Sequence, residues 1–239
     1  MAGHSKWANI KHRKEKADAK KGKVFSRITK EIISAVKQGG PDAKNNPKLR
    51  LALQKAKEAN LPNDNIERNI KKATSSDQAD FVEMTYEMYG HGGVGIIIDL
   101  MTDNKNRTAS DMRIATNKRG GSIAAPGAVA YNFDRKGIIS IEKKGSFDDF
   151  FEAMIDVGAE DVEDLEDLYV VTVSPESLYE IKDKISALGF KVEEANLEMI
   201  PKTLVEINQE HRDANLALIE WLEALDDVDA VYHNMKIEE

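Results

Sequence analysis

Residues 137–192 read GIISIEKKGSFDDFFEAMIDVGAEDVEDLEDLYVVTVSPESLYEIKDKISALGFKV, and the order of patterns in this stretch decides the fold class. Gly137 to Ile141 is an extended apolar run. Ser146, with Asp149 three residues on, caps a helix carrying Phe147, Phe150, Phe151, Met154 and Ile155. A short strand near Val162 and a longer one from Leu168 to Val173 come next. Ser174-Pro175 then starts a second helix with Leu178, Ile181, Ile185 and Leu188, which Gly189 stops before Phe190 to Val192 resumes extended chain. Strand, helix, strand, strand, helix, strand is the split βαβ order of a ferredoxin-like sandwich.

Working outward, Pro201 reads as opening a strand through Val205 and Ile207. Leu216, Ile219, Leu222 and Leu225 then stripe a helix, and Val228 to Tyr232 reads as a closing strand. Upstream, Val82, Met84, Tyr86 and Met88 alternate with Glu83, Thr85, Glu87 and Tyr89, as a half-buried strand does. Gly90-His91-Gly92-Gly93 is a turn into the apolar strand Val94 to Leu100, so the two form a hairpin. Thr108 with Asp111 reads as the cap of a helix bearing Met112 and Ala115, stopped at Arg119-Gly120-Gly121, and Val129, Tyr131 and Phe133 read as strand. The closing elements lack a neighbour in sequence. Pairing them with the sheet opened at 81–100 makes 137–198 an insertion.

Three short helices precede all this. Phe25, Ile28, Ile32 and Val36 stripe the first, which Gly39-Gly40-Pro41 ends. Asn46 caps the second, with Pro47 in its first turn and Leu49, Leu53, Ala56 and Ala59 on one face. Asp64 with Glu67 resembles a capping box before Ile66, Ile70 and Ala73. Thr74 to Asp77 is a linker. The reading is an α+β chain of three domains: a basic arm and helical bundle at 1–76, a middle domain at 77–135 plus 200–239, and an inserted domain at 136–199. The last two are ferredoxin-like or related α/β sandwiches.

Charge divides the chain differently. Residues 1–73 hold 19 Lys or Arg against 7 Asp or Glu, and residues 74–239 hold 15 against 35. The total of −8 describes neither part. There is no cysteine, which excludes disulfides, thiolate metal sites and cysteine nucleophiles. No apolar run approaches the ~20 residues that cross a bilayer, and the basic N-terminus lacks the apolar stretch of a signal peptide. A cytoplasmic chain with no membrane partner is expected.

The basic head is the first candidate site. Lys6, Lys11, Arg13, Lys14, Lys16, Lys20, Lys21 and Lys23 lie within eighteen positions, with Trp7 and His12 among them, and Arg27 and Lys30 continue the series into the first helix. Such an arm can follow a phosphate backbone while Trp7 stacks on a base. A solvated, solubilising terminus is the plainer alternative, but the basic excess runs on through the helices. Composition does not separate DNA from RNA. The link from Gly39 to Asn46 exceeds the usual turn of a helix-turn-helix, which argues against a major-groove recognition helix.

The second candidate is TDNKNRT, residues 102–108. Asp103, Asn104, Lys105, Asn106, Arg107 and Thr108 read either as a contact surface at a helix N-terminus or as an Asx-rich connection whose side chains satisfy their own backbone. GHGG at 90–93 and GG at 120–121 lack phosphate-loop spacing and read as turns. EDVEDLED at 160–167 lacks the glycine and oxygen spacing of a calcium loop. The five histidines form no metal-ligand pair, and a surface cap explains Asp226 and Asp227. Nothing assembles a nucleophile, base and orienting group, so a non-enzyme without cofactor or metal is expected.

Together AGHSKWANIKHRK at 2–14, NPKLRLALQKAKEANLPNDNIERNIKKA at 46–73, TDNKNRT at 102–108, GG at 120–121 with GAVAY at 127–131, and DDVDAVYHN at 226–234 resemble the YebC/PmpR family over nearly the whole chain. The resemblance implies a helical N-terminal domain, a middle domain closed by C-terminal residues and an inserted third domain. It implies a DNA-binding transcriptional regulatory protein. The alternatives are a ribosome-associated translation factor that binds ribosomal RNA or tRNA and relieves stalling at proline-rich stretches, related to mitochondrial translational activators, or a protein-interaction module. The family's N-terminal positions map to Gly3, His4, Ser5, Lys6, Trp7, Ile10, Lys11 and His12, and its second patch to Asp103, Asn104, Asn106, Arg107 and Thr108. Met88 and His91 stand where the family usually has glycine and proline, and His91 for proline is expected to loosen its turn. No heptad is apparent, and a monomer is expected.

Overall fold

The computed structural model describes residues 21–75 and 80–237. Residues 3–20 of the basic arm, and Ser76 and Asp77 of the linker, lie outside these. Residues 21–129 with 206–235 form one compact unit, and residues 130–205 with 236 and 237 form another.

The first unit opens with helices α1 (Lys21–Gly39), α2 (Pro47–Glu58) and α3 (Asn63–Ala73). Ile28, Ile32, Ile33 and Val36 of α1 are buried with Leu49, Ala52 and Ala56 of α2 and Ala73 of α3. Asn46 ties two helix ends together. Its Oδ1 accepts the Leu49 N–H at 3.0 Å, capping α2, while Nδ2 donates to Ala35 O at 2.7 Å and Gly40 O at 2.8 Å. One buried amide thus satisfies the start of α2 and the end of α1. The capping box read at Asp64 does not form: the cap position is Pro62, two residues earlier, with no side-chain cap. Asp64 instead places its charge in the first turn, where the helix dipole favours an acid.

Strands β1 (Val82–Tyr89) and β2 (Gly95–Thr102) form the hairpin in full register, Tyr89 opposite Gly95. Helix α4 (Lys105–Arg119) follows, then the two-residue strand β3 (Ser122–Ile123). α4 starts at Lys105 under an Asn104 cap, not at Thr108, because Asn104 Oδ1 accepts the N–H groups of Asn106 and Arg107, each at 3.1 Å. TDNKNRT is therefore a cap and a first helical turn rather than a connection.

The second unit holds β4 (Phe133–Glu142), α5 (Phe147–Val157), β5 (Asp161–Asp164), β6 (Leu168–Val173), α6 (Leu178–Ala187) and β7 (Val192–Pro201). Its sheet order is β5-β6-β4-β7, all antiparallel, which is the ferredoxin-like arrangement read from the sequence. Ser146 caps α5 through Asp149, and its hydroxyl in turn donates to the Asp149 carboxylate. Phe150 stacks on Tyr169 at 4.2 Å between ring centroids and meets Phe190 edge-on at 5.1 Å. Two extended readings are corrected here. Residues 130–132 form a short helical turn rather than strand, and Pro201 ends β7 opposite Phe133 rather than opening a new strand. β4 and β7 pair over their whole lengths, and a strand end tolerates a proline that has no N–H to give.

Helix α7 (Gln209–Ala224) and strand β8 (Val228–His233) then return to the first unit. β8 pairs antiparallel with β2, giving the order β3-β1-β2-β8, and α7 packs with α4. The molecule is α+β, with two antiparallel sheets among the described residues.

Candidate nucleic-acid interface

Lys23, Arg27 and Lys30 are spaced four and three apart, so they share one stripe of α1. Lys23 and Lys30 of that stripe turn to other parts of the same unit, while the Arg27 side chain stays 45% exposed. Lys23 Nζ donates to the carbonyls of Glu223 and Leu225, the latter at 3.0 Å, at the C-terminal end of α7. Unsatisfied carbonyls and the negative dipole end make such a site favourable for an ammonium group. Lys30 Nζ donates to Asp226 O at 2.7 Å and Met101 O at 3.1 Å, and lies 3.5 Å from the Asp227 carboxylate. Arg27 Nε donates to Glu31 at 3.2 Å, and Lys55 reaches the other Glu31 oxygen at 2.8 Å. Burial opposes the Arg27 charge, but Asp229, Glu31 and Tyr232 outweigh it and hold the guanidinium above its ordinary value. Within the DDVD run at 226–229, α1 thus meets the Asp227 carboxylate and the Asp226 backbone carbonyl through Lys30.

The exposed basic surface lies elsewhere on the helices. Lys44, Arg50, Lys57, Lys71 and Lys72 are exposed and make no side-chain hydrogen bond or ion pair among the described residues. Between residues 21 and 75 there are thirteen Lys or Arg against five Asp or Glu, so this helical segment carries a net positive charge. Lys6, Trp7, Lys11, His12, Arg13, Lys14, Lys16 and Lys20 fall outside the described residues, as does the side chain of Lys21.

The 102–108 tract is organised around Asp227. Arg107 donates Nη2 to both Asp227 oxygens, at 2.7 and 3.0 Å, and Nε to one of them at 3.3 Å. The Thr102 and Thr108 hydroxyls reach the same carboxylate at 3.0 and 3.2 Å. Asp103 takes a further bond from Arg107 Nη2 at 2.8 Å. Burial by itself would push the Asp227 carboxyl up, yet hydrogen bonds from Arg107 and Thr102 and the Lys30 charge hold it below its ordinary value. Asp227 is therefore no surface cap, because its side chain is only 9% exposed. Residues 103–107 remain exposed around it. Both readings of the tract hold in part: Asn104 satisfies its own backbone, while the Arg107 side chain, 48% exposed, stays at the surface.

The GHGG turn is built rather than loose. Asn215 of α7 accepts the His91 N–H at 2.8 Å and donates to His91 O at 2.9 Å, and the His91 ring meets Arg119 O at 2.8 Å. A proline at 91 has no N–H for Asn215, so histidine fixes this turn by a different bond, which corrects the expected loosening. Gly120 and Gly121 have φ of +77° and +82°, and a Cβ would lie 2.5 Å from the His91 ring and 2.7 Å from Tyr89 O respectively. Nearby, the Glu87 carboxylate accepts the N–H groups of Gly127 and Val129 at 2.5 and 2.7 Å, which fastens the GAVAY segment.

Asp227, Thr102 and Asn215 are the positioning groups that sequence reading missed. The acid-rich DDVD run was the available signal, but its partners stand about 120 residues upstream in the chain.

Comparison with known proteins gives a consistent result. Residues 5–76 match the family described as TACO1/YebC protein N-terminal domain, and residues 81–235 match TACO1/YebC second and third domain. A protein of Protochlamydia amoebophila named "probable transcriptional regulatory protein" is 68% identical over 240 residues, covering 100% of this chain and 98% of the relative. A Chlamydia pneumoniae protein of the same name is 58% identical over 237 residues, covering 98% and 100%. The crystal structure of a conserved hypothetical protein from Aquifex aeolicus superposes with a TM-score of 0.83 at 43% identity, covering 98% of this chain and 97% of that one. The chain belongs to the TACO1/YebC family.

Proposed function

We propose that this protein regulates gene expression by binding nucleic acid, with duplex DNA as its main target, as a cytoplasmic monomer that performs no catalysis. The observation that carries the reading is the set of exposed, unpaired basic residues on α2, α3 and the link before α2, in a chain whose total charge is −8. A polyanion approaches that surface and is repelled by the acidic remainder, so first contact falls to the head. Lys6, Lys11, Arg13, Lys14, Lys16, Lys20 and Lys21 add to it on sequence grounds, with Trp7 and His12 as base or sugar contacts. Arg107 and its neighbours from Asp103 to Thr108 form the second contact patch. The names carried by the relatives from Protochlamydia and Chlamydia support a regulatory role.

The test is fluorescence anisotropy with a labelled DNA duplex and a matched single-stranded RNA over a salt series. The duplex is expected to bind with a steep inverse salt dependence, and K57E/K71E/K72E is expected to weaken binding at least about tenfold at roughly 0.15 M salt. Tighter binding of the RNA than of the duplex, or an unchanged affinity in the charge-reversed variant, overturns the reading.

A further inference from the structure

Arg107 is held by one edge only. Its Nε and Nη2 donate inward to Asp227, with Asp103 as a second acceptor, whereas Nη1 has no partner among the described residues. A guanidinium is a rigid planar fork, so anchoring the Nε–Nη2 edge fixes the direction of the remaining N–H donors. The same carboxylate lies 3.5 Å from Lys30 of α1 and accepts the hydroxyls of Thr102 and Thr108. Its own position is thereby set from the end of β2, from the first turn of α4 and from the helical segment at once. Ionised and mostly buried, it is a fixed anchor for a cation that stays half in solvent.

We propose that Asp227 is a positioning residue for nucleic-acid binding: it aims the free Nη1 edge of Arg107 at a backbone phosphate and keeps that edge in register with α1. The proposal rests on the reading of the chain as a nucleic-acid binder. A structural role confined to joining β8, α4 and α1 is the rival explanation. The two differ in sign. Removing a negative charge beside a polyanion site strengthens binding through the field alone, so a loss of affinity on neutralising Asp227 that disappears when Arg107 is absent comes from misplaced Arg107.

The experiment measures affinity and salt slope for a fluorescein-labelled DNA duplex and a matched RNA with the full chain, D227N, R107A and the double variant. Thermal unfolding serves as a fold control. D227N is expected to weaken duplex binding about three- to tenfold and to lower the log–log salt slope by up to about one, as loss of a phosphate contact does. In the R107A background D227N is expected to have no effect or to tighten binding, because the residue then has nothing to aim. R107K supplies a second readout that leaves residue 227 itself unchanged. It keeps the charge but not the two-point grip, and is expected to lose most of what R107A loses. Equal or tighter duplex binding by D227N, an equal loss with Arg107 absent, or R107K binding like the parent chain each overturns the proposal. Failure of the parent chain to bind either probe is a separate result that overturns the functional reading and this one together.

Discussion

The inserted unit keeps most of its charged side chains at the surface, with Glu198 of β7 the buried exception, whereas the seam between α1 and the start of β8 draws Lys30 and Asp227 into largely buried contacts. In residues 130–205, with eighteen acidic against eight basic residues, the pairs Lys191–Glu142 and Lys184–Glu180 join partners that are each roughly half exposed or more. Solvent screens such pairs, and their contribution to stability is small. That unit is held by apolar packing instead, around Phe150, Tyr169 and Phe190. At the seam, Asp227 is 9% and Lys30 12% exposed, and each makes several bonds. Charges at that depth cost desolvation energy and tolerate the loss of a partner badly. The lesson concerns where a substitution should be felt: volume matters in the inserted unit, charge matters at the seam.

The largest expected effect tests the first half of that statement. F150A removes a side chain that is 1% exposed from the aromatic cluster and is expected to cost about 3–5 kcal/mol in urea unfolding. A loss below about 1 kcal/mol would show that charge rather than packing holds this unit. D227A comes second. It strands Lys30 and Arg107 and leaves the Thr102 hydroxyl without its acceptor, for an expected loss of about 2 kcal/mol, less than a fully buried pair because Arg107 can turn to water. An unchanged unfolding midpoint would erase the contrast between the two regions.

The difference in legibility has the same physical origin. The inserted unit was readable because its order came from local signals: the Ser146 cap, the Phe147 to Ile155 stripe, and alternating strands, with ferredoxin-like pairing following from their sequence. Strand ends were less readable. Nothing local says that β4 reaches back to Phe133, since its length is set by pairing with β7. The seam was hardest. Lys23 and Lys30 have the spacing of phosphate contacts, and only the folded chain shows their ammonium groups on the carbonyls of Glu223, Leu225, Asp226 and Met101. Asp227 resembled a surface cap because its ligands lie far away in sequence. His91 is hard to read locally for a similar reason, since the bond that fixes its turn comes from Asn215 on α7.

The seam also contains its own internal contrast, which pH should separate. Burial pushes the Asp229 carboxyl up to about 6, with Arg27, Lys30 and Lys23 pulling it down less than burial raises it and Glu31 adding to the rise. Asp227, two residues away, is held below its ordinary value. A raised carboxyl binds its proton more tightly in the folded chain, so the stability it contributes is complete below its unfolded value and is lost as pH rises through about 6. A depressed carboxyl does the reverse: its contribution is present above the unfolded value and disappears as pH falls through the lower folded value. Urea unfolding of the parent chain, D229N and D227N over a pH series should therefore give two difference curves of opposite slope. The parent-minus-D229N difference should fall with rising pH between roughly 4 and 6, and the parent-minus-D227N difference should fall with decreasing pH below roughly 4, neither by more than about 1.4 kcal/mol per pH unit. Two slopes of the same sign would mean that Asp229 is ionised as readily as Asp227. The face of α1 would then neutralise the whole DDVD run uniformly, instead of gripping one carboxylate while leaving the other short of partners.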